Sequence, residues 1–534
     1  MNISNLKQKW IWATLFILFA LVLSCWSLIS PIADGPDEAA NIIKATAVDH
    51  GEFTGTKLPY QWSGAKVYAV RVPWFYAMTE YSLECQAYKV VPYCSLNTLT
   101  KERCRFDYLV FLHSNITNCT TQNIRDFSKP TIGFTYVNKY PPDYYLLVGL
   151  PTLIMPPGYN AVYMMREVSI IISSVLLASL FLTIYQLKKR KWTFLGVLIA
   201  MTPTMFYLQS IVNGINLEGL AGMCFVFYAC QMAMNPNNYP KRLLGRLCLA
   251  SVILVSVRPT GFVWFAIDLI PVIILIAARD IKTFVIDRKL IAAALIIVIA
   301  LLANVVWQLM VGQNEIFNQY GYQGIYIYRI YLAFINQFRL LNLTEIVGQF
   351  SNVGNYIKSP LPITIIWLLC WVGIAILVVF KGRKYHKLAF LSYLFGFIFI
   401  ALLLDAYFIP SFGKVFWQAN FGFAAMGGIP IFAGMILDSG STTASKSESY
   451  VTAIMPYVLW IMVFVNFMIL ERWDVGGWSP IVTPAILITV EFVALVLILF
   501  IMVPINKLKL EQTMIDELKV NSAEIHAMSD ANTT

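Results

Sequence analysis

Apolar and polar positions divide the chain into long uninterrupted apolar runs separated by short polar joints. Runs near the ~20 residues a helix needs to cross a bilayer fall at 10–30, 161–187, 192–212, 216–236, 289–311, 361–380, 388–409, 418–437, 451–470 and 484–504. The stretch 244–278 differs: basic residues flank it on both sides, and Arg258-Pro259-Thr260 interrupts it. One helix of that length would carry a cation and a proline in mid-membrane, so the pattern predicts two short helices meeting at the Arg-Pro corner. The predicted fold class is an all-α polytopic membrane protein of about twelve transmembrane helices.

The longest polar interruption, 32–140, follows the first run and reads as an extracytoplasmic loop containing short helices. The expected organisation is a first transmembrane helix (1–31), this loop (32–140), a membrane core (141–437), C-terminal transmembrane helices (438–504) and a cytoplasmic tail (505–534). Within 140–160, "YPPDYYLLVGLPTLIMPPGYN" is apolar but short and broken by prolines. It is expected to lie in the bilayer interface with its tyrosines at one end.

Composition removes the soluble alternative. The chain is 58% hydrophobic and 13% charged, with a mean hydropathy of +0.66, well above the apolar share of a soluble domain. A net charge of +10 would suit nucleic acid, but the basic residues sit in clusters such as "KKRK" at 188–191 and "KGRKYHK" at 381–387, between apolar runs. That is the positive-inside pattern, which puts both termini in the cytoplasm and makes the partner a bilayer and not a nucleic acid. The expected location is the plasma (inner) membrane of a bacterium.

Cys85, Cys94, Cys104 and Cys119 all fall inside the first outer segment. An even set in an oxidising compartment suggests two disulfides with three pairings open, against the alternative of free thiols. No CxxC pattern exists and the four histidines are scattered, which argues against a zinc site.

The candidate chemistry begins at "DGPDEAAN", where Asp34, Asp37 and Glu38 crowd the point at which the chain leaves its first span. One reading is structural: Asp34 or Gly35 caps a helix, Pro36 takes its first turn, the acids favour the positive end of the macrodipole, and Gly51 ends it. The other makes Asp37, Glu38 and Asp34 a catalytic group, or has Asp34 and Asp37 share a divalent cation such as Mg, Mn or Ca. Arg258 is costly at a corner between membrane helices unless it meets an anion: a lipid-linked phosphate, a plain ion pair or a headgroup. Glu218, in the turn "NGINLEG", reads as structural.

The order of "PDEAAN", a long outer loop, "YPPDYYLLVGLP", "MREVS" with Arg166, "TPTMFYLQSIVNGINLEG" and "VGNYIKSPLP" resembles an uncharacterised family of bacterial polytopic membrane proteins grouped with the GT-C glycosyltransferases. The resemblance implies a GT-C-like membrane core. It also implies inverting transfer from a polyprenyl-phosphate-linked sugar donor to a glycan or polymer acceptor of the cell envelope on the extracytoplasmic face. Asp37 would be the catalytic acid of the first loop, with Glu38 and Asp34 beside it, and Arg258 and Arg166 would bind donor phosphate. Tyr140, Tyr144, Tyr145 and Gln418 are the expected substrate-binding residues. Where relatives carry a histidine this chain has Asn41, and a late Gly-Arg-Tyr group is replaced by "WQANFGF", with Lys414 or Arg329 as substitutes. Two other readings stay open: a transporter or flippase of lipid-linked glycans, and a non-catalytic envelope-assembly protein.

Overall fold

The computed structural model describes residues 3–30, 32–33, 35–62, 65–77, 79, 127–235, 241–278, 288–311, 327–337, 347–350, 357–412, 419–440, 446–474 and 482–503. Asp34, Gln418, Lys414 and the disulfide candidates Cys85, Cys94, Cys104 and Cys119 lie outside those residues.

Eight helices among the described residues are long and apolar enough to cross a membrane: Leu6–Ile29, Tyr159–Gln186, Gly214–Met234, Arg288–Met310, Leu361–Lys381, Lys384–Leu404, Glu448–Glu471 and Pro484–Met502. The twelve expected are therefore met only in part. The apolar run at 192–212 is not one span but two helices, Lys191–Ala200 and Pro203–Gln209. Pro203 cannot continue the first, and Thr202 instead caps the second, its hydroxyl accepting from Met205 N. At the Arg-Pro corner the chain forms the two expected short helices, Lys241–Ser256 and Gly261–Ala277, which pack on each other.

Small residues set the tightest helix contacts. Gly196 lies against the carbonyl of Pro430, and Gly434 against that of Trp192, so a Cβ at either position would overlap backbone. Close approach of this kind is how helices associate where apolar burial offers little. Asp438 then accepts hydrogen bonds from Trp192 N and Thr193 N, an anion at the start of helix Lys191–Ala200.

The segment after the first span is not purely helical, which corrects the all-α expectation. It carries a three-stranded antiparallel sheet, β1 (Thr56–Trp62), β2 (Ala65–Pro73) and β3 (Pro130–Thr135), in the order β1-β2-β3. In β2 the pattern alternates, with Val70 and Val72 buried and Arg71 exposed between them, the period of a half-buried strand. Tyr68 of β2 stands opposite Thr135 of β3. Across the sheet lies the cap helix, Glu38–Asp49, whose residues are buried continuously from Glu38 to Val48. It ends where Gly51 takes a φ of 85°.

Two short helices, Pro142–Val148 and Pro151–Ile154, follow β3. Tyr144, Tyr145 and Val148 face inward, while Leu146, Leu147, Leu150, Leu153 and Ile154 are exposed, so this piece presents an apolar outer face beside a polar-lined inner one. Gly149 between them presses on the carbonyl of Ala45 and the carboxylate of Asp49, a contact closed to any side chain.

Candidate active site

The chain leaves its first span through a turn in which Ala33 (φ 66°) and Asp37 (φ 60°) both adopt the left-handed conformation. Alanine enters that region only under constraint, and aspartate somewhat more easily. The constraint is visible in Glu38. Its carboxylate accepts Arg166 Nε on Oε1 and Nη2 on Oε2, both at 2.7 Å, with the two side chains fully buried. Ala33 N (3.0 Å) and Val212 N (3.1 Å) donate to the same oxygens. Arg166 Nη1 in turn donates to the carbonyls of Ser27 (2.8 Å) and Ser30 (2.7 Å). The turn is wrapped around this pair.

Glu38 and Arg166 are thus a structural tie between the first span, the cap helix and helix Tyr159–Gln186. Their expected roles as catalytic acid and donor-phosphate ligand are corrected: each Glu38 oxygen already accepts two donors, and the guanidinium is sealed from any lipid headgroup.

Asp37, one residue earlier, points the other way. It occupies the N-cap position of the cap helix (φ 60°, ψ 6°) without capping it, so the helix begins later than the sequence pattern suggested and Pro36 lies outside its first turn. The side chain is half-buried and takes the hydroxyl of Tyr136 on Oδ1 at 2.5 Å. Burial holds its carboxyl above the ordinary range, while the Tyr136 hydrogen bond and the charge of Arg258 pull it back. A carboxylate whose pKa is raised is a stronger base once ionised and so is better suited to take a proton.

Arg258 comes from the corner between helices Lys241–Ser256 and Gly261–Ala277. Nη1 donates to Glu218 Oε2 at 2.9 Å, Nη2 reaches the Tyr140 hydroxyl at 3.5 Å, and the guanidinium lies 5.5 Å from the centre of the Tyr140 ring. Glu218 Oε1 accepts from Thr260 at 3.1 Å. The ion-pair reading of Arg258 and the structural reading of Glu218 therefore both describe real contacts, yet Nε of Arg258 is buried and has no partner among the described residues. A buried donor in that state carries an unmet preference for an acceptor.

The tyrosines separate. Tyr140 stays at the site on Arg258. Tyr144 and Tyr145 are buried, on Ser169 (3.2 Å) and Asn41 Oδ1 (2.6 Å) respectively, and the expectation that they contact substrate is corrected. They support the site instead, since Asn41 also donates to the Asp37 carbonyl at 2.7 Å. Asn41 thus has a positioning contact of its own. Arg329 is buried beside Tyr328 on helix Ile327–Gln337.

With this geometry in view, comparison with known families is decisive on one point. Residues 18–416 match the family described as predicted membrane protein, DUF2142. The chain belongs to that family. It is a multi-pass membrane protein, as the apolar runs imply. Comparison with curated proteins gives no match. Among solved structures, the chain is similar to ArnT from Cupriavidus metallidurans bound to undecaprenyl phosphate, at 13% identity, with a TM-score of 0.40, over 92% of this chain and 76% of that one.

Among the described residues no three histidines, cysteines or acids gather as a metal-ligand set. Glu38 is occupied by the Arg166 guanidinium, and Asp34, the expected partner of Asp37 in holding a cation, lies outside the described residues.

Several residues at the site escaped the sequence pattern. Tyr136 holds Asp37. Lys44, buried in the cap helix, donates to the carbonyls of Phe53 (2.6 Å) and Asn138 (2.5 Å), and burial pushes its ammonium down to about 7. Asn304, Trp307 and Gln308, on helix Arg288–Met310, hold the Arg258 corner and the chain beside Tyr140. Their spacing of three and four residues in an apolar run was the signal available.

Proposed function

We propose that the protein is a membrane glycosyltransferase that takes its sugar from a polyprenyl-phosphate-linked donor and passes it, with inversion, to a glycan or polymer of the cell envelope on the extracytoplasmic face of the bacterial plasma membrane. The observation that carries this reading is the pairing of unlike states. Among the described residues, Asp37 is a half-buried carboxylate that accepts the Tyr136 hydroxyl, and it feels the charge of an arginine whose Nε has no partner there.

In this reading the acceptor hydroxyl oxygen attacks the anomeric carbon while its proton passes to Asp37. The bond from that carbon to the phosphate oxygen breaks, and the polyprenyl phosphate leaves with its charge held by Arg258. Attack from the side opposite the leaving phosphate inverts the anomeric centre. The Tyr140 ring on the guanidinium limits its motion.

The test is transfer from a synthetic polyprenyl-phosphate sugar by membranes carrying the Asp37→Asn protein at matched expression. A drop of about 10²–10⁴-fold is expected for a lost general base; undiminished turnover removes Asp37 from the mechanism.

A second reading, a flippase of lipid-linked glycans, draws on buried acids within the spans. Asp268 accepts from Tyr393 at 2.7 Å and Glu491 from Trp26 at 3.1 Å, each leaving one oxygen without a partner among the described residues. Reconstituted vesicles separate the two, because a flippase moves labelled lipid across the bilayer without forming a glycosidic bond.

A further inference from the structure

Among the described residues, helix Arg288–Met310 is the least buried of the candidate spanning helices: along it only Ala293 and Asn304 are buried. Nearly all of its described surface faces outward, with Ile299, Leu302, Val306 and Leu309 each more than half exposed. Its polar contacts with the bundle gather in one turn. Asn304 Nδ2 donates to the carbonyls of Val255 and Arg258, the latter at 3.1 Å. Gln308 Nε2 donates to the Pro259 carbonyl at 3.2 Å and to Asn304 Oδ1 at 2.8 Å. Trp307 Nε1 donates to the Lys139 carbonyl at 3.0 Å.

Those acceptors are not arbitrary. Helix Lys241–Ser256 ends at the corner, so its last carbonyls have no helical partner, and Pro259 brings no N–H to help. In a low-dielectric setting such carbonyls must find donors. Here both sides of the Arg258 guanidinium, its own corner and the chain leading into Tyr140, are tied to the same turn of a helix that packs mainly on helix Lys241–Ser256.

The geometry points to Asn304 and Gln308 as positioning residues that set the aim of Arg258 toward a lipid-linked phosphate, so that helix Arg288–Met310 couples its lipid-facing wall to the phosphate site. The inference rests on the donor-phosphate reading of Arg258. Asn304 touches no ligand; it acts by fixing the backbone from which the arginine extends. A tilt of this helix moves the corner and the tyrosine together.

The test is binding of farnesyl phosphate, with uncharged farnesol as control, to the full-length protein in lipid nanodiscs. Wild type is expected to prefer the phosphate, and Arg258→Ala to lose that preference. Asn304→Ala is expected to weaken farnesyl phosphate binding about tenfold, the scale of one misaligned charge-assisted hydrogen bond, with farnesol unchanged. Gln308→Leu follows the same pattern at about threefold and decides the matter if Asn304→Ala does not fold. The double variant Arg258→Ala, Asn304→Ala shows no loss beyond Arg258→Ala alone, because a positioning residue has nothing left to position.

Wild-type phosphate affinity in Asn304→Ala and Gln308→Leu, with Arg258→Ala still defective, overturns the inference and leaves the Arg258 reading intact. Equal loss of both ligands overturns it in favour of a purely structural role. A preference for phosphate that survives Arg258→Ala overturns the donor-phosphate reading, and the inference with it.

Discussion

Asp37 and Glu38 are neighbours with the same functional group, and each has an arginine near it, yet the two acids have opposite fates. Glu38 is closed off: both oxygens accept two donors, the pair is fully buried, and the arginine also donates to the carbonyls of Ser27 and Ser30 and lies against the Tyr163 ring. Asp37 is open, with one tyrosine on one oxygen and an arginine within electrostatic reach rather than in contact. Charge at a membrane surface serves architecture when every valence is filled and becomes available for chemistry when some are not.

Removing the closed pair's balance has the largest expected effect. Glu38→Gln leaves the Arg166 guanidinium buried without its anion, a loss of about 3–5 kcal/mol, so the purified protein should melt far lower or fail to yield a monodisperse peak. Asp37→Asn, by contrast, should melt near wild type. If the two substitutions destabilise equally, the contrast between closed and open acids is wrong.

A smaller effect sharpens the open side. Asp37 acts as a base only when ionised, so activity falls as pH drops through its folded pKa, which burial has raised. Tyr136→Phe removes a hydrogen bond that opposes that rise, so the acid limb of the transfer rate should move to higher pH and the rate at a fixed acidic pH should fall. An unmoved limb would mean that another group is titrating.

The smallest effect concerns Asp49 at the far end of the cap helix, whose carboxyl burial pushes up to about 6. Its folded pKa lies above the unfolded value of about 4, so its contribution to stability is complete below about pH 4 and disappears as pH rises to about 6. Asp49→Asn should flatten the dependence of the melting temperature on pH across that window, read by thermal scans of the whole protein.

Much of this was legible in the residue order, but unevenly. An arginine followed by proline inside an apolar run announced both the paired short helices and a buried cation. Whether Asp37 or Glu38 would turn inward was not legible, because a left-handed φ at one residue reverses the direction of the next and no local pattern announces it. Arg166 looked like a free cation because its partner is 128 residues away in sequence. The sheet was hidden by the prior that a polar segment between membrane runs is loop, although β2 alternates cleanly. Asn304 and Gln308 were visible at helical spacing, yet only the Arg258 corner gives that spacing a meaning.

The backbone at position 37 has one more consequence. A residue with φ of 60° would be more comfortable as glycine, which adopts that conformation without penalty. The chain therefore carries a side chain there against the conformational preference of its own main chain. With Asp37 in its proposed role, thermostability and turnover pull in opposite directions at this site, and selection for a sturdier protein would be expected to discard the acid first.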